Sequence, residues 1–397
     1  MQKGDTKSRD FFKEAFEATK LNGLRLRNRF IKAPTFEGLM AGGRLNEEFK
    51  ALHRGVARGG VAMTIMANCA VSVAGQSYGE QLILDDRFLP QLEALVAEIH
   101  AEGCAVCLQL NHCGGNKRGS GVAYGPSRYF NWRFGKWVRA MSDEDIERTI
   151  SEYREAARRA REIGIDAIEL QASHGFLLSQ FLSPLCNHRK DRWGGDVESR
   201  AIFAVMVLKA VREAMGADAP VFAQISLSDA HPKGLNIDEA LIFAQIMETE
   251  GADALAFNSG FSSTDNFHDL RGGLPLKDII DAKAHWWERW YMRMMGKRAM
   301  NDYSFKENFL MHQAMRIRTR LSLPMILTGG IVSKQGIEEA IKNGFDFIAL
   351  GRALICEQDF ILRLQKGELE RSACNQCNLC VAYASKGVRC WQNDSKN

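Results

Sequence analysis

The chain has 397 residues, 46% hydrophobic and 25% charged, which is the composition of an ordinary globular protein with enough apolar material for a large core. Lys+Arg 52 against Asp+Glu 48 leaves a net charge of +4, too balanced to point to a nucleic-acid partner. No apolar run reaches the roughly eighteen residues of a membrane span, and the N-terminal stretch MQKGDTKSRDFFKEAFEATK has no apolar signal core, so a cytoplasmic protein is expected.

Residues 1–20 are polar and amphipathic, an added helix or arm. Leu24-Arg25-Leu26 with a turn at Asn28-Arg29 suggests a small hairpin. Phe30–Ala33 is a short strand stopped by Pro34. Glu47–Gly59 is a helix and Val61–Met66 the next strand. Leu89–Glu102 has helical periodicity and stops at Gly103; Ala105–Leu110 is a strand opening into Asn111-His112-Cys113-Gly114-Gly115. Ser142, with Asp145 three residues on, starts a helix that Gly164 closes. Strand Ala167–Leu170 and helix Arg200–Met215 follow, then strand Val221–Ser226, helix Asp238–Glu250 and strand Ala254–Asn258. Gly260–Asp302 is an irregular insertion. Helix Phe305–Arg320, strand Met325–Thr328, helix Lys334–Asn343 and strand Phe347–Leu350 complete the series.

Eight strands, each followed by a helix or a long loop, predict an α/β chain closed into a (β/α)₈ TIM barrel, with an N-terminal hairpin, an insertion after strand six and a Cys-rich tail. A doubly wound open sheet is the runner-up, but no GxGxxG follows an early strand. The division expected is an extension over 1–20, a barrel over 21–365 and a tail over 366–397. Barrel chemistry sits at the C-terminal strand ends. Thr328-Gly329-Gly330 after strand seven and Gly351-Arg352 after strand eight suit a phosphate: glycine lets backbone N–H groups approach, and arginine adds a charge-assisted contact. Strand four opens into Gln171, His174 and Gly175, two polar side chains at a strand end, followed by the loop LSPLCNHRKDRWGGDVESR.

The chain resembles the old yellow enzyme family of FMN-dependent ene-reductases, in its NADH:flavin oxidoreductase branch. The motifs are NRFIKAPTFEG at 28–38, Ala67-Asn68, LQLNHCGG at 108–115, YGPS at 124–127, HGFLLSQFLSP with NHRKDRWGGDVESR up to Arg200, LTGG at 327–330 and LGRALI at 350–355. The resemblance implies FMN across the barrel mouth, with Pro34, Thr35 and Asn68 lining the ring, Phe36 beside it, Gln109 on the pyrimidine edge, and Gly329, Gly330, Gly351 and Arg352 on the phosphate. NADH or NADPH would reduce the flavin. An α,β-unsaturated carbonyl compound would then take hydride from flavin N5, its oxygen held by Gln171 and His174. Three positions depart from the family pattern. The expected proton-donating tyrosine is Phe176, leaving Tyr78, Tyr124 and His268 as substitutes. The cation expected on strand five is Gln224, and Phe36 replaces a Thr or Cys.

Cys374-x-x-Cys377-x-x-Cys380 followed by Cys390 is a metal-ligand pattern. Larger relatives of the dienoyl-CoA reductase type hold a 4Fe-4S cluster on such a set, with three residues rather than two between the second and third cysteine. Four thiolates also fit tetrahedral Zn, and four unligated thiols remain a third reading. The chain stops seven residues after Cys390, so no FAD domain is expected and a cluster would need a partner protein. Cys69, Cys104, Cys107, Cys113, Cys186 and Cys356 are scattered and expected to be small buried hydrophobes. The insertion carries Trp286, Trp287, Trp290 and Tyr291 among Arg289, Arg293, Lys297 and Arg298, read first as a packed or subunit-interface helix and second as a lid. Trp132 and Trp137 form a similar loop after strand three.

The function expected is NAD(P)H-dependent reduction of an activated C=C bond by a homo-oligomer. The alternatives are a flavin barrel with a different reaction (diaphorase, oxidase, demethylase or isomerase) and a non-catalytic barrel that binds a ligand or redox partner.

Overall fold

The computed structural model describes residues 9–37, 40, 44–262, 268, 270–282, 285–299 and 303–392. Gly38 of the first motif and the side chains of Trp287, Tyr291, Lys297 and Arg298 lie outside the described set.

Eight parallel strands close into a barrel: β1 (Phe30–Lys32), β2 (Met63–Ala70), β3 (Ala105–Asn111), β4 (Ala167–Ala172), β5 (Val221–Ser226), β6 (Leu255–Asn258), β7 (Met325–Leu327) and β8 (Phe347–Leu350), with β8 pairing back to β1. All eight were expected from apolar patterning, as was the closure. Side chains alternate along each strand. Ile168 and Leu170 face the helices in the large outer core. Ile31, Met63, Ile65, Cys107, Ala167, Phe222, Ala256, Ile326 and Phe347 fill the barrel interior.

A hairpin, Thr19–Leu21 with Leu24–Leu26, closes the bottom by adding Leu21 and Leu26 to that interior cluster. Its turn is Asn22-Gly23, with Asn22 at φ 48°, and not Asn28-Arg29. Asn-Gly is the residue pair that a two-residue hairpin favours. Asn28 instead accepts from Phe30 N at 3.0 Å and donates to Gly60 O at 2.8 Å, anchoring β1.

Caps set the helix limits. Ser142 and Asp145 form the expected capping box of helix Asp143–Glu162. Asp196 accepts from Ser199 N at 2.9 Å and starts the next helix at Val197, one turn earlier than apolar periodicity suggested. The helix expected over 305–320 is only Met311–Arg318. Asn308 takes a left-handed φ of 54°, and Phe309 N donates to Gly329 O, so the preceding segment packs as extended chain on the β7 loop. The insertion is not irregular throughout: it contains helices Leu276–Asp281 and Trp286–Ala299. Among the described residues no helix is long and apolar enough to cross a membrane.

Candidate active site

Continuing each inward-facing row upward turns the interior polar. Cys107 leads to Gln109 and Asn111, Ala167 to Glu169 and Gln171, Phe222 to Gln224 and Ser226, and Ala256 to Asn258. The top layer is therefore a ring of amides and one acid above an apolar plug. The register puts Gln109 opposite Glu169 and Gln171 opposite Gln224.

On the side of β4 to β6 the ring is neutral. Ser173 Oγ donates to Gln224 Oε1 at 2.7 Å, and Asn258 Nδ2 donates to the same oxygen at 3.4 Å and to His174 Nε2. His174 is held at φ 59°, a left-handed conformation uncommon for a residue with a Cβ, and Ser262 N donates to its carbonyl at 3.1 Å. The two expected substrate contacts thus share one corner, linked through Gln224. Asn258 escaped the sequence reading, although its inward phase on strand six was legible.

On the side of β1 to β4 the site is ionic and dry. Lys32, wholly buried, meets Glu37 and donates to Ile65 O at 3.3 Å. Glu37 also takes the Ala67 N–H at 3.0 Å, His53 Nε2 at 3.2 Å and the Thr35 hydroxyl at 3.3 Å. Thr64 Oγ1 bonds His53 Nδ1 at 2.7 Å. Burial holds Lys32 well below the usual lysine range, against the pull of Glu169. Burial, with Lys32 nearby, holds His53 well below the usual imidazole range. Glu169 takes Gln109 Nε2 at 2.8 Å, and Gln109 Oε1 takes Asn68 N at 3.3 Å. Burial raises the Glu169 carboxyl to about 8, outweighing Gln109 and Lys32. None of Lys32, Glu37, His53 or Glu169 had been singled out as functional. A charged residue inside an apolar strand, as in Phe30-Ile31-Lys32-Ala33, was the available signal.

Pro34 and Thr35 are half-buried at the β1 end, and Phe36 is 38% exposed with its ring 5.7 Å from Tyr78. A Cβ at Gly351 would lie 3.4 Å from Thr35 Cγ2, so the β1 and β8 loops meet. Asn68 sits at φ 60° in a register shift of β2, its side chain bonded to Asn111. Gly329 and Gly330 have φ of 113° and 78°, and a Cβ on either would press on Leu310 or Phe305, so packing alone already demands glycine there. Arg352 Nη1 donates to Arg271 O at 2.9 Å and bonds Asn378, tying the insertion and the tail to β8. Arg271, not anticipated, stacks 4.6 Å from the Phe309 ring beside the Gly329 loop, its Nε buried without a hydrogen-bond partner among the described residues. Of the proton-donor candidates, Tyr78 faces the mouth at Phe36, Tyr124 lies under Arg139, and His268 packs on Tyr303.

The tail gathers five thiols rather than four. Cys356, expected to be an inert hydrophobe, is half-exposed and hydrogen-bonded to Cys374 and Cys390. The Cys356 bond, helped by the Gln376 backbone and Arg352, brings Cys374 down to about 7. Gln376 Nε2 lies 3.2 Å from Cys374 Sγ, and Gln392 Nε2 lies 3.4 Å from Cys377 Sγ. The donor chemistry suits a thiophilic metal, but no three of these groups are arranged as a ligand set among the described residues.

The NADH:flavin oxidoreductase / NADH oxidase family profile matches residues 14–264. The chain belongs to that family. It is an oxidoreductase with the barrel of the old yellow enzymes. It is 35% identical over 387 residues to a 4,4'-dithiodibutanoate disulfide reductase of Rhodococcus erythropolis, covering 96% of this chain and 95% of that one. It is 29% identical to a metal reductase of Desulforamulus reducens over 95% of its own length but 53% of that protein, so it spans about half of such longer relatives. Morphinone reductase in complex with tetrahydroNAD superposes with a TM-score of 0.69 at 21% identity, covering 91% of this chain and 93% of that one, which supports the fold.

The family implies FMN and a nicotinamide reductant, and the top layer fits a flavin. Asn111 Oδ1, Glu169 Oε1, Gln171 Oε1 and Ser226 Oγ are all buried there without a partner among the described residues. Four orphaned polar atoms on three neighbouring strands are costly unless a polar ligand completes them.

Proposed function

We propose that this chain catalyses NAD(P)H-dependent reduction of the C=C bond of a small α,β-unsaturated carbonyl compound, with FMN supplying the hydride chemistry. Pro34, Thr35, Asn68, Gln109 and Gln224 would hold the flavin ring. Gly329, Gly330, Gly351 and Arg352, joined by Arg271, would hold its phosphate. The observation that carries this reading is the corner formed by Gln171, His174 and Asn258. Hydride addition to the β-carbon moves negative charge onto the carbonyl oxygen, and fixed donors there lower the barrier. Asn258 Nδ2 bonds His174 Nε2, which fixes the orientation of the ring. Gln171 is a buried amide whose oxygen has no partner among the described residues.

A second reading replaces the acceptor by an organic disulfide. Two observations favour it: residue 176 is Phe, half-buried at the start of helix Leu177–Leu182, and the relative similar over its full length is a disulfide reductase. Reducing C=C requires a proton on the α-carbon. Cleaving S–S releases thiolates, which take protons from water and need no positioned acid.

The purified holoprotein tests both. Under anaerobic conditions NADH or NADPH should bleach the flavin, and an enone or a disulfide should restore its colour. A protein purified without flavin, or a flavin that neither nicotinamide bleaches, would sink both readings.

A further inference from the structure

The connection between β3 and helix Asp143–Glu162 folds into a three-stranded sheet, Ala123–Gly125, Tyr129–Asn131 and Lys136–Ala140. From His112 to Ser142 this lobe carries six Lys or Arg residues and no Asp or Glu, in a chain whose charges otherwise nearly cancel. Several of these cations are engaged by the protein. Lys117 Nζ donates to Val73 O at 3.1 Å and Ala74 O at 3.3 Å, Lys136 donates to Gly119 O, and Arg139 lies 3.4 Å from Asp145. Arg128 stacks 4.9 Å from the Trp137 ring.

Arg118 differs. Its backbone N–H donates to Ser77 O at 2.7 Å, which brings it against the loop after β2. Its guanidinium lies 5.4 Å from the Phe134 ring, and among the described residues the Tyr78 phenol is the ionisable group that acts on it. Tyr78 in turn packs on Phe36, at the end of β1. The side chain is reached by water, yet protein crowds it enough that burial pulls its pKa down. Arg118 is exposed beside the loop after β2 and has no carboxylate partner among the described residues, which leaves its guanidinium open to a ligand. An anion entering the mouth would compensate it, and a guanidinium binds an oxyanion through two parallel hydrogen bonds.

We propose that Arg118 anchors an oxyanion on a molecule entering the barrel mouth: a carboxylate of the acceptor or a phosphate of the nicotinamide dinucleotide. The proposal rests on the reading above, since it assigns the substrate class of the same mouth.

The experiment uses flavin-loaded protein in anaerobic stopped flow. Dissociation constants for NADH and NADPH are read from flavin bleaching. Those for an unsaturated acid and its methyl ester, or for a dicarboxylate disulfide and its diester, are read from reoxidation. Arg118→Gln should weaken one source of oxyanion by about 10–100-fold, the worth of a charged hydrogen bond. Arg118→Lys should recover part of the loss, and added salt should shrink the difference. Arg154→Gln, at an exposed pair with Glu213, is the control. Loss confined to the acid assigns the carboxylate; loss confined to the dinucleotides assigns the phosphate. Equal constants in wild type and Arg118→Gln, or equal weakening of acid, ester and dinucleotides in both Arg118 variants, overturns the proposal. Failure of the underlying reading looks different: the wild type itself would not bleach, or would not reoxidise with acid, ester or disulfide.

Discussion

The two halves of the barrel mouth are built on opposite principles. Around β4 to β6, Ser173, Gln224, Asn258 and His174 form a chain of neutral hydrogen bonds facing the expected substrate. Around β1 and β2, Lys32, Glu37 and His53 form a dry ionic cluster that touches no expected ligand but grips the backbone that would. Glu37 bonds Ala67 N, beside Asn68, and Thr35, beside Pro34. The neutral half can reorganise around a ligand at small cost. The ionic half cannot lose Lys32 or Glu37 without stranding the charge of the other. On the proposed function, positioning the cofactor and recognising the substrate would fall to chemically different parts of one rim.

The sharpest way to break that contrast is to truncate one partner of the buried pair. Glu37→Ala leaves Lys32 in the interior without its counter-ion and should cost about 3–5 kcal/mol of unfolding free energy. Lys32→Met with Glu37→Leu should recover much of it. Urea titration of the three proteins checks both; an unchanged midpoint in Glu37→Ala would refute the role given to the pair.

Glu169 sits between the halves and makes the contrast depend on pH. Its carboxyl titrates near 8 when folded and near the ordinary carboxylate range when unfolded. Between those values the folded chain holds the extra proton, so this residue's contribution to stability is present at low pH and is lost as pH rises through 8. The slope is at most about 1.4 kcal/mol per pH unit. Glu169→Gln should therefore match the wild type near pH 5 and exceed it by a few kcal/mol near pH 8.5. Parallel stability curves for the two proteins would contradict the assignment.

In the neutral half the expected loss is catalytic. Asn258→Ala releases His174 Nε2 and the Gln224 oxygen together. A catalytic group displaced by about an ångström can cost on the order of 10²-fold in rate. We expect kcat of the reoxidation step to fall by about that factor, with flavin bleaching by the nicotinamide and thermal stability far less affected.

These halves were unequally legible in the sequence. The eight strands were readable because each is a short apolar run bounded by helices with clear caps. Gln171 and His174 stood out because strand ends are where barrels place polar groups; Gln109 and Gln224 entered only through the resemblance. The ionic half was hidden. Its members come from β1, the following loop, helix Glu47–Arg58 and β2, and no spacing rule links Lys32 to His53. His53 falls in the helix predicted over Glu47–Gly59, read as a surface or core residue in preference to a ligand, and sequence does not tell a buried imidazole from a surface one. Cys356 was misjudged for the same reason: its partners, Cys374 and Cys390, become neighbours only when the tail folds back on the end of β8.

The smallest predicted effect is the one that discriminates between acceptors. Phe176 N donates to Ser173 O at 3.2 Å, and the residue starts helix Leu177–Leu182 directly beside His174. Phe176→Tyr adds one hydroxyl to a half-buried ring two residues after His174. If the acceptor is an unsaturated carbonyl compound, that hydroxyl supplies the missing acid. Positioned acids contribute about 10²–10⁴-fold; an unrefined position should give roughly the low end, about 10-fold in kcat. If the acceptor is a disulfide, the thiolate leaves without an acid and the rate should not change. Stopped-flow reoxidation of Phe176→Tyr by one enone and one disulfide reads both outcomes. A gain for the enone alone would show that this chain lost a proton donor its chemistry could use. No gain for the enone, with rapid turnover of the disulfide, would show that the neutral half was built for an acceptor that never needed one.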